Sequence, residues 1–240
     1  MATKNHHTWG IRKGAFPWPD MDIRMAHSLC GTPTRTSKMP GLSWSLPAKY
    51  CNVGSTLRAT NPDSVCAECY ALKGRYVMPN VALAQEDRWE KLACALRTTV
   101  YRDMYIIGMC RIIWNQKHFR WFDSGDIKNW EHLTIILDVC RRTPHVSHWL
   151  PTKEYQLIYM LKNSDHYNNM PDNLNIRVSG AMIDDIKVSF WDGFTASAVT
   201  TDHEQVTCPA YDQGGHCDGV NVSCRKCWDK NEPIVIYPKH

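Results

Sequence analysis

From residue 38 onward, short runs that read as β-strands alternate with longer runs whose apolar residues recur at helical spacing. Residues 42–46 form the first strand candidate. Residues 118–123, 145–152 and 173–179 are three more, 196–201 is a weaker one, and 234–237 closes the chain. Between them, Pro79 stands at the first turn of a helix that the pattern carries from 81 to 104, through Val81, Ala84, Trp89, Leu92 and Leu96. A second amphipathic helix covers 130–141, through Leu133, Ile136, Leu137 and Cys140, with Pro144 after its end. Residues 153–161 are a third. Alternation of this kind implies parallel strands joined by crossover helices. The expected fold class is α/β: a partial (β/α) barrel of about six mainly parallel strands with cysteine-rich metal-binding loops. Residues 1–37, rich in Thr, Pro and His, are expected to form an extended N-terminal arm. Residues 38–240 are expected to be a single domain with a cysteine-rich C-terminal segment, 203–231.

Composition narrows the function classes. A chain of 240 residues with 43% hydrophobic and 22% charged residues folds rather than staying disordered. Its net charge of +4 is spread in short groups such as Arg141-Arg142 rather than in a stripe, so a nucleic-acid partner is not indicated. The first 25 residues hold no apolar run resembling a signal-peptide core. The most apolar window, 105–114, is interrupted by Arg111 and too short for a bilayer, which needs about 20 apolar residues. No membrane partner is expected, and the expected location is the cytoplasm, where thiols stay reduced.

That compartment gives the eleven cysteines their meaning. Cys30, Cys94, Cys110 and Cys140 are isolated, and the last three, among apolar or helix-forming neighbours, read as small buried hydrophobes. The other seven fall into two groups. Cys51, Cys66 and Cys69 form the first, ending in the turn C66-A-E-C69, and Cys208, Cys217, Cys224 and Cys227 the second, ending in C224-R-K-C227. A C-x2-C turn lets two thiolates reach one metal or one cluster edge. Three cysteines favour a [4Fe–4S] cluster with one iron left open over zinc, the alternative. The second group, with Pro209 after Cys208, suits either a second iron–sulfur cluster or zinc.

Polar residues gather where the strands should end. Asp123-Ser124-Gly125-Asp126, Thr152-Lys153, Ser179-Gly180 and Thr200-Thr201 would share one rim with the first cysteine loop. Asp123, Ser124, Asp126, Lys153 and Ser179 are therefore the candidate cofactor-binding residues. The alternative is local: Asp126 caps the next helix and Ser124-Gly125 makes a turn. P-loop, G-x-G-x-x-G and G-x-S-x-G motifs are absent. Trp121, Trp149 and Trp228 read as core.

Several segments together, K38-M-P-G-L-S-W-S-L-P-A, C66-A-E-C69-Y-A-L-K-G-R-Y, F119-R-W-F-D-S-G-D, H148-W-L-P-T-K-E-Y, N175-I-R-V-S and C208-P with C224-R-K-C227-W, resemble the bacteriophage gene product 88 family over roughly residues 36–240. The C-x2-C-Y-A segment is also similar to that of a phage family regarded as distant kin of radical S-adenosylmethionine enzymes. That resemblance implies a partial barrel, a three-cysteine cluster after the first strand, S-adenosylmethionine as a ligand, and the host cell's cytoplasm as location. The usual C-x3-C-x2-C of those enzymes is here C-x14-C-x2-C, and no Gly-Gly-Glu segment is present. Two classes stay open: a radical or redox enzyme using a small-molecule ligand and an electron donor, or a non-catalytic module stabilised by zinc or clusters and acting on a host partner or nucleic acid.

Overall fold

The strands carry opposite chemistries on their two faces, and that asymmetry decides where the helices pack. Leu42, Trp44, Phe119, Trp121, Leu150, Leu174, Ile176 and Val178 alternate onto one face and join the main hydrophobic core. Ser43, Arg120, Trp149, Asn175, Arg177, Ser179, Thr195 and Ser197 occupy the other, in matching register from strand to strand. The computed structural model describes residues 16–186, 193–218 and 223–239. Its sheet has seven strands: β1 (Thr34–Arg35), β2 (Leu42–Trp44), β3 (His118–Trp121), β4 (Ser147–Thr152), β5 (Leu174–Ile183), β6 (Thr195–Thr200) and β7 (Ile234–Pro238). They lie side by side in chain order, β1 antiparallel to β2 and the remaining pairs parallel.

The helices are α1 (Ile23–Cys30), α2 (Val53–Thr60), α3 (Pro79–Ala95), α4 (Thr99–Ile113), α5 (Trp130–Arg142), α6 (Tyr155–Lys162) and the short α7 (Asp165–Asn168). Residues of α1, α3, α4, α5 and α6 fill the core with the apolar strand face. The mostly parallel α/β architecture is as expected. Among the described residues the strands number seven, against the expected six or so, and no pairing of β1 with β7 closes the sheet into a barrel.

Four local expectations change. Part of the expected extended arm is α1: Asp22 accepts from the Met25 N–H at 2.7 Å, and Ala26, Leu29 and Cys30 are buried, with Cys30 Sγ against the Tyr105 carbonyl at 3.2 Å. The first fifteen residues of that arm lie outside the described residues. The long helix expected over 81–104 is two helices, because the Thr98 hydroxyl caps a new start by accepting from the Tyr101 N–H at 3.3 Å. Helix α5 is capped by Asn129, which accepts from the His132 N–H at 2.9 Å, and not by Asp126. Cys110 and Cys140 are buried as expected, but Cys94 is exposed.

Two histidines in this core stay neutral. His148 accepts from Trp121 Nε1 at 3.3 Å on Nδ1, which leaves the proton on Nε2 facing the Thr143 hydroxyl at 3.0 Å. His132 accepts from the Lys128 N–H at 3.2 Å. Burial, reinforced by Lys128 beside His132 and by His145 beside His148, pushes both down to about 3. The unfolded chain protonates these rings near pH 6.5 and the folded one only near 3. Their contribution is therefore complete above about pH 6.5 and declines as pH falls toward 3. Asp126, raised by burial to about 6, acts in the opposite direction between about 4 and 6. The three groups leave one net proton on the unfolded side there, so urea titrations are expected to show a slope near 1.4 kcal/mol per pH unit from them. His148→Gln should flatten that slope; an unchanged slope would mean that His148 is already charged in the fold.

Candidate functional site

At the carboxyl end of the sheet the loops after β2 and β3 are sewn together. The Leu46 N–H donates to the Ser124 carbonyl at 2.9 Å, and the Ser124 hydroxyl donates to the Leu46 carbonyl at 2.9 Å. Gly125 makes this approach feasible: its φ is +86°, and a Cβ there would stand 2.7 Å from Leu46 Cβ. Ser124-Gly125 is thus a structural turn, as its alternative reading held.

The first cysteine group is built from distant parts of the chain. Cys51 ends a 3-10 turn, Ala48–Tyr50, and α2 begins two residues later. The fourteen residues between Cys51 and Cys66 are mostly that helix and a return segment. The return is pinned to the far end of β5: the Val65 N–H donates to the Ala181 carbonyl at 2.8 Å, the Ile183 N–H to the Asp63 carbonyl at 3.2 Å, and Ser64 bridges Met182. The excursion therefore closes. A Cβ on Gly54 would meet Cys51 Cβ at 3.2 Å, Cys66 Sγ at 3.4 Å and Cys51 Sγ at 3.8 Å, so two thiols flank one helical glycine. Cys69 lies close enough to act on both. Burial, then Asp126 and the neighbouring cysteines, pushes the Cys51 thiol up to about 12; burial also raises Cys66, opposed by the Lys153 ammonium.

The polar rim residues divide. Asp126 Oδ1 accepts from the Thr152 hydroxyl at 2.7 Å and the Ile127 N–H at 2.8 Å, and Oδ2 from the Lys153 N–H at 2.9 Å. It fastens the loop after β3 to the end of β4 and faces Cys51. Asp123 is buried and accepts from the Ser43 hydroxyl at 2.7 Å and the Tyr76 hydroxyl at 3.1 Å. Ser179, on β5, meets the Ser197 hydroxyl at 3.2 Å, and its carbonyl accepts from Tyr155 at 2.7 Å. Tyr155 in turn neighbours Cys66. Asp126, Lys153 and Tyr155 thus come together with the cysteines, whereas Asp123 faces Tyr70 and Tyr76.

Glu154, not among the candidate cofactor-binding residues, also supports the site. It is buried, and its carboxylate accepts from the Val53 N–H at 3.3 Å and Asn52 Nδ2 at 3.4 Å, so it holds the start of α2 and with it Cys51. The signal was available: a glutamate directly after Thr152-Lys153 at a strand end.

The second cysteine group covers the polar sheet face. Asn175 donates to the Cys227 carbonyl at 3.0 Å, and Trp149, Trp228, Cys227 and Val235 form a small apolar cluster with Cys208 and Tyr237 at its edge. Cys208 lies near Cys217, Cys224 and Cys227. Burial pushes Cys217 up to about 11 and Cys227 to about 12. Trp149 and Trp228 pack as core against this group, and Trp121 belongs to the main core. In both groups the thiols are gathered but not closed: among the described residues, no set of three or more His, Cys, Asp or Glu side chains is arranged to hold a metal ion. Among those residues no helix is long and apolar enough to cross a membrane.

No curated protein and no solved structure matches the chain. The family model described as gene product 88 matches residues 24–230, which spans both cysteine groups, the rim and all but the last strand. The chain therefore belongs to the bacteriophage gene product 88 family.

Proposed function

We propose that this protein binds a [4Fe–4S] cluster through Cys51, Cys66 and Cys69 and uses it, as a radical or redox enzyme, on a small molecule held at the rim of Asp126, Lys153 and Tyr155. The observation that carries this reading is the meeting of Cys51 and Cys66 across Gly54, with Cys69 beside them, despite the fourteen residues that separate the first two. Bound there, a cluster with three protein thiolates supplies electron transfer and one iron with a free position. The chain's own residues do the rest. Glu154 fixes the helix start that carries Cys51, and the Lys153 ammonium favours a thiolate at Cys66. Strands in unbroken chain order, with helices on the apolar face, suit a partial barrel whose polar face would line the interior. S-adenosylmethionine is the first ligand to consider.

One observation favours the second class. Both oxygens of Asp126 are taken up by its protein partners, as a purely architectural carboxylate's would be. In a non-catalytic module the same ties would serve only to hold the rim closed.

Anaerobically prepared protein is expected to be brown, with iron and acid-labile sulfide near four of each per chain at this group. Cys66→Ala should abolish most of that iron while leaving the circular dichroism of the fold. Colourless protein without iron or sulfide would refute the cluster.

A further inference from the structure

We propose that Cys208, Cys217, Cys224 and Cys227, gathered but not closed in this structure, draw together around one zinc ion as a four-thiolate centre whose counter-charges are the guanidinium groups of Arg120 and Arg177. This goes beyond the reading above and does not depend on it.

Three features of the site ask for negative sulfur. The first is a hydroxyl partner. The Tyr237 hydroxyl lies 3.0 Å from Cys227 Sγ, and the chain turns back on itself just after Cys208, where the Tyr211 N–H donates to the Cys208 carbonyl at 3.4 Å. A hydroxyl set against a sulfur belongs to the outer shell of a thiolate ligand, which it orients and holds.

The second is the pair of guanidinium groups. Arg177 is fully buried and lies beside Cys227, while Arg120, on β3, stands over the Trp149 ring at 4.4 Å and acts on both Cys217 and Cys227. Among the described residues neither forms an ion pair with a carboxylate. The acids near them bond other groups: Asp123, whose charge also acts on Arg120, accepts from Ser43 and Tyr76, Glu232 pairs with Lys226 at 3.6 Å, and Asp229 accepts from the Asn231 N–H at 2.8 Å, while the terminal N–H groups of Arg177 meet only neutral carbonyls. The Nε atoms of both arginines are buried without a hydrogen-bond partner. Two interior cations require anions. Four thiolates on Zn2+ carry a net charge of about −2, which two guanidinium groups offset.

The third is the spacing. The Cys224 N–H donates to the Cys217 carbonyl at 2.7 Å, and Asp218 and Ser223 form an antiparallel bridge just beyond them. Opposed residues of such a pair have Cα atoms about 4.5–5.5 Å apart. That suits the edge of about 3.8 Å between sulfurs on a tetrahedral ion with bonds near 2.3 Å. It is shorter than the span between thiolates across a four-iron cube. With four protein ligands the centre has no open position, so its role is to clamp residues 208–227 onto the polar face of the sheet.

The full chain, expressed with zinc in the medium and purified anaerobically, is expected to carry one zinc, with four sulfur neighbours at about 2.3 Å in its K-edge absorption. Cys224→Ser should lower bound zinc at least tenfold. Because that variant can also fail to fold, Cys224→His is the second arm: it should retain zinc with three sulfurs and one nitrogen. Arg120→Gln should weaken zinc binding by about tenfold or more in competition with a chromophoric chelator, the usual size of an outer-shell effect. The zinc-loaded form of that variant should keep its circular dichroism. Cys51→Ser should leave zinc untouched whatever it does to iron, which separates this centre from the first group. Zinc missing from the parent protein, an all-sulfur zinc shell retained in Cys224→His, or iron and sulfide that follow Cys224 instead of Cys66 would overturn the proposal. An unchanged zinc affinity in Arg120→Gln would overturn the counter-charge assignment.

Discussion

Arg177→Met is expected to cost about 3–5 kcal/mol of folding stability, the largest loss from any single side chain outside the apolar core. Arg177 is fully buried in the middle of β5. Its guanidinium donates to the carbonyls of Ala196 at 2.6 Å, Lys226 at 2.9 Å, Asp229 at 3.3 Å and Glu232 at 3.1 Å. One side chain therefore ties β6 and the whole C-terminal cysteine segment to β5. Methionine fills much of the volume but removes all four bonds, and a buried carbonyl left without a donor costs about 1–3 kcal/mol. The total is below the sum for four orphans because the Lys226 carbonyl keeps the Asp229 N–H at 3.2 Å and the Asp229 carbonyl keeps Asn175 Nδ2 at 3.2 Å. Arg177→Lys should recover only part of the loss, since one ammonium cannot reach four carbonyls spread in a plane. Urea unfolding of the two variants checks this, and a loss under about 1 kcal/mol for methionine would show that the carbonyls find other partners.

S-adenosylmethionine, added to the reduced protein, is expected to change the electron paramagnetic resonance of the cluster proposed at Cys51, Cys66 and Cys69. Its amino and carboxylate groups can chelate an iron that lacks a thiolate. Asp126→Ala should weaken that response about tenfold or more while iron content holds, because Asp126 joins the loop after β3 to the end of β4 next to Cys51. The pH at which the ligand is added matters. Asp126 is raised to about 6 by burial, against the pull of its bonds from Lys153 and Thr152, so its carboxylate is largely formed at pH 7 and mostly protonated at pH 5. A parent protein whose cluster is intact and reduced, yet silent to the ligand, favours the non-catalytic module.

Some of this was legible in the chain itself. Strand and helix periodicity placed β3 to β7 and α5 within a few residues, because an alternating or 3.6-residue apolar pattern reports directly which side of an element is buried. The two cysteine groups could be read from spacing, and buried cysteines such as Cys110 and Cys140 from their apolar neighbours. Family membership followed from short segments distributed along the chain.

Other features depended on contacts that spacing does not encode. The break between α3 and α4 came from a threonine whose hydroxyl competes for a backbone N–H, a local event inside a continuous apolar pattern. Part of the expected arm became α1 because Cys30 and Ala26 find a place against α4, where Gly108 leaves room: a Cβ there would stand 2.7 Å from Cys30 Sγ. Asp126 looked like a helix cap by position and is a tie between two strand ends by geometry.

Sequence by itself determined that this chain is an α/β protein with two cysteine groups, because thiol spacing and apolar periodicity are properties of neighbours along the chain. Only the tertiary structure decided that Cys66 returns to Cys51, since that approach depends on main-chain bonds from residues 63 and 65 to β5 and on the missing Cβ of Gly54. It alone decided, too, that Arg120 and Arg177 lie beneath the second group, because strand register selects which side chains share a face.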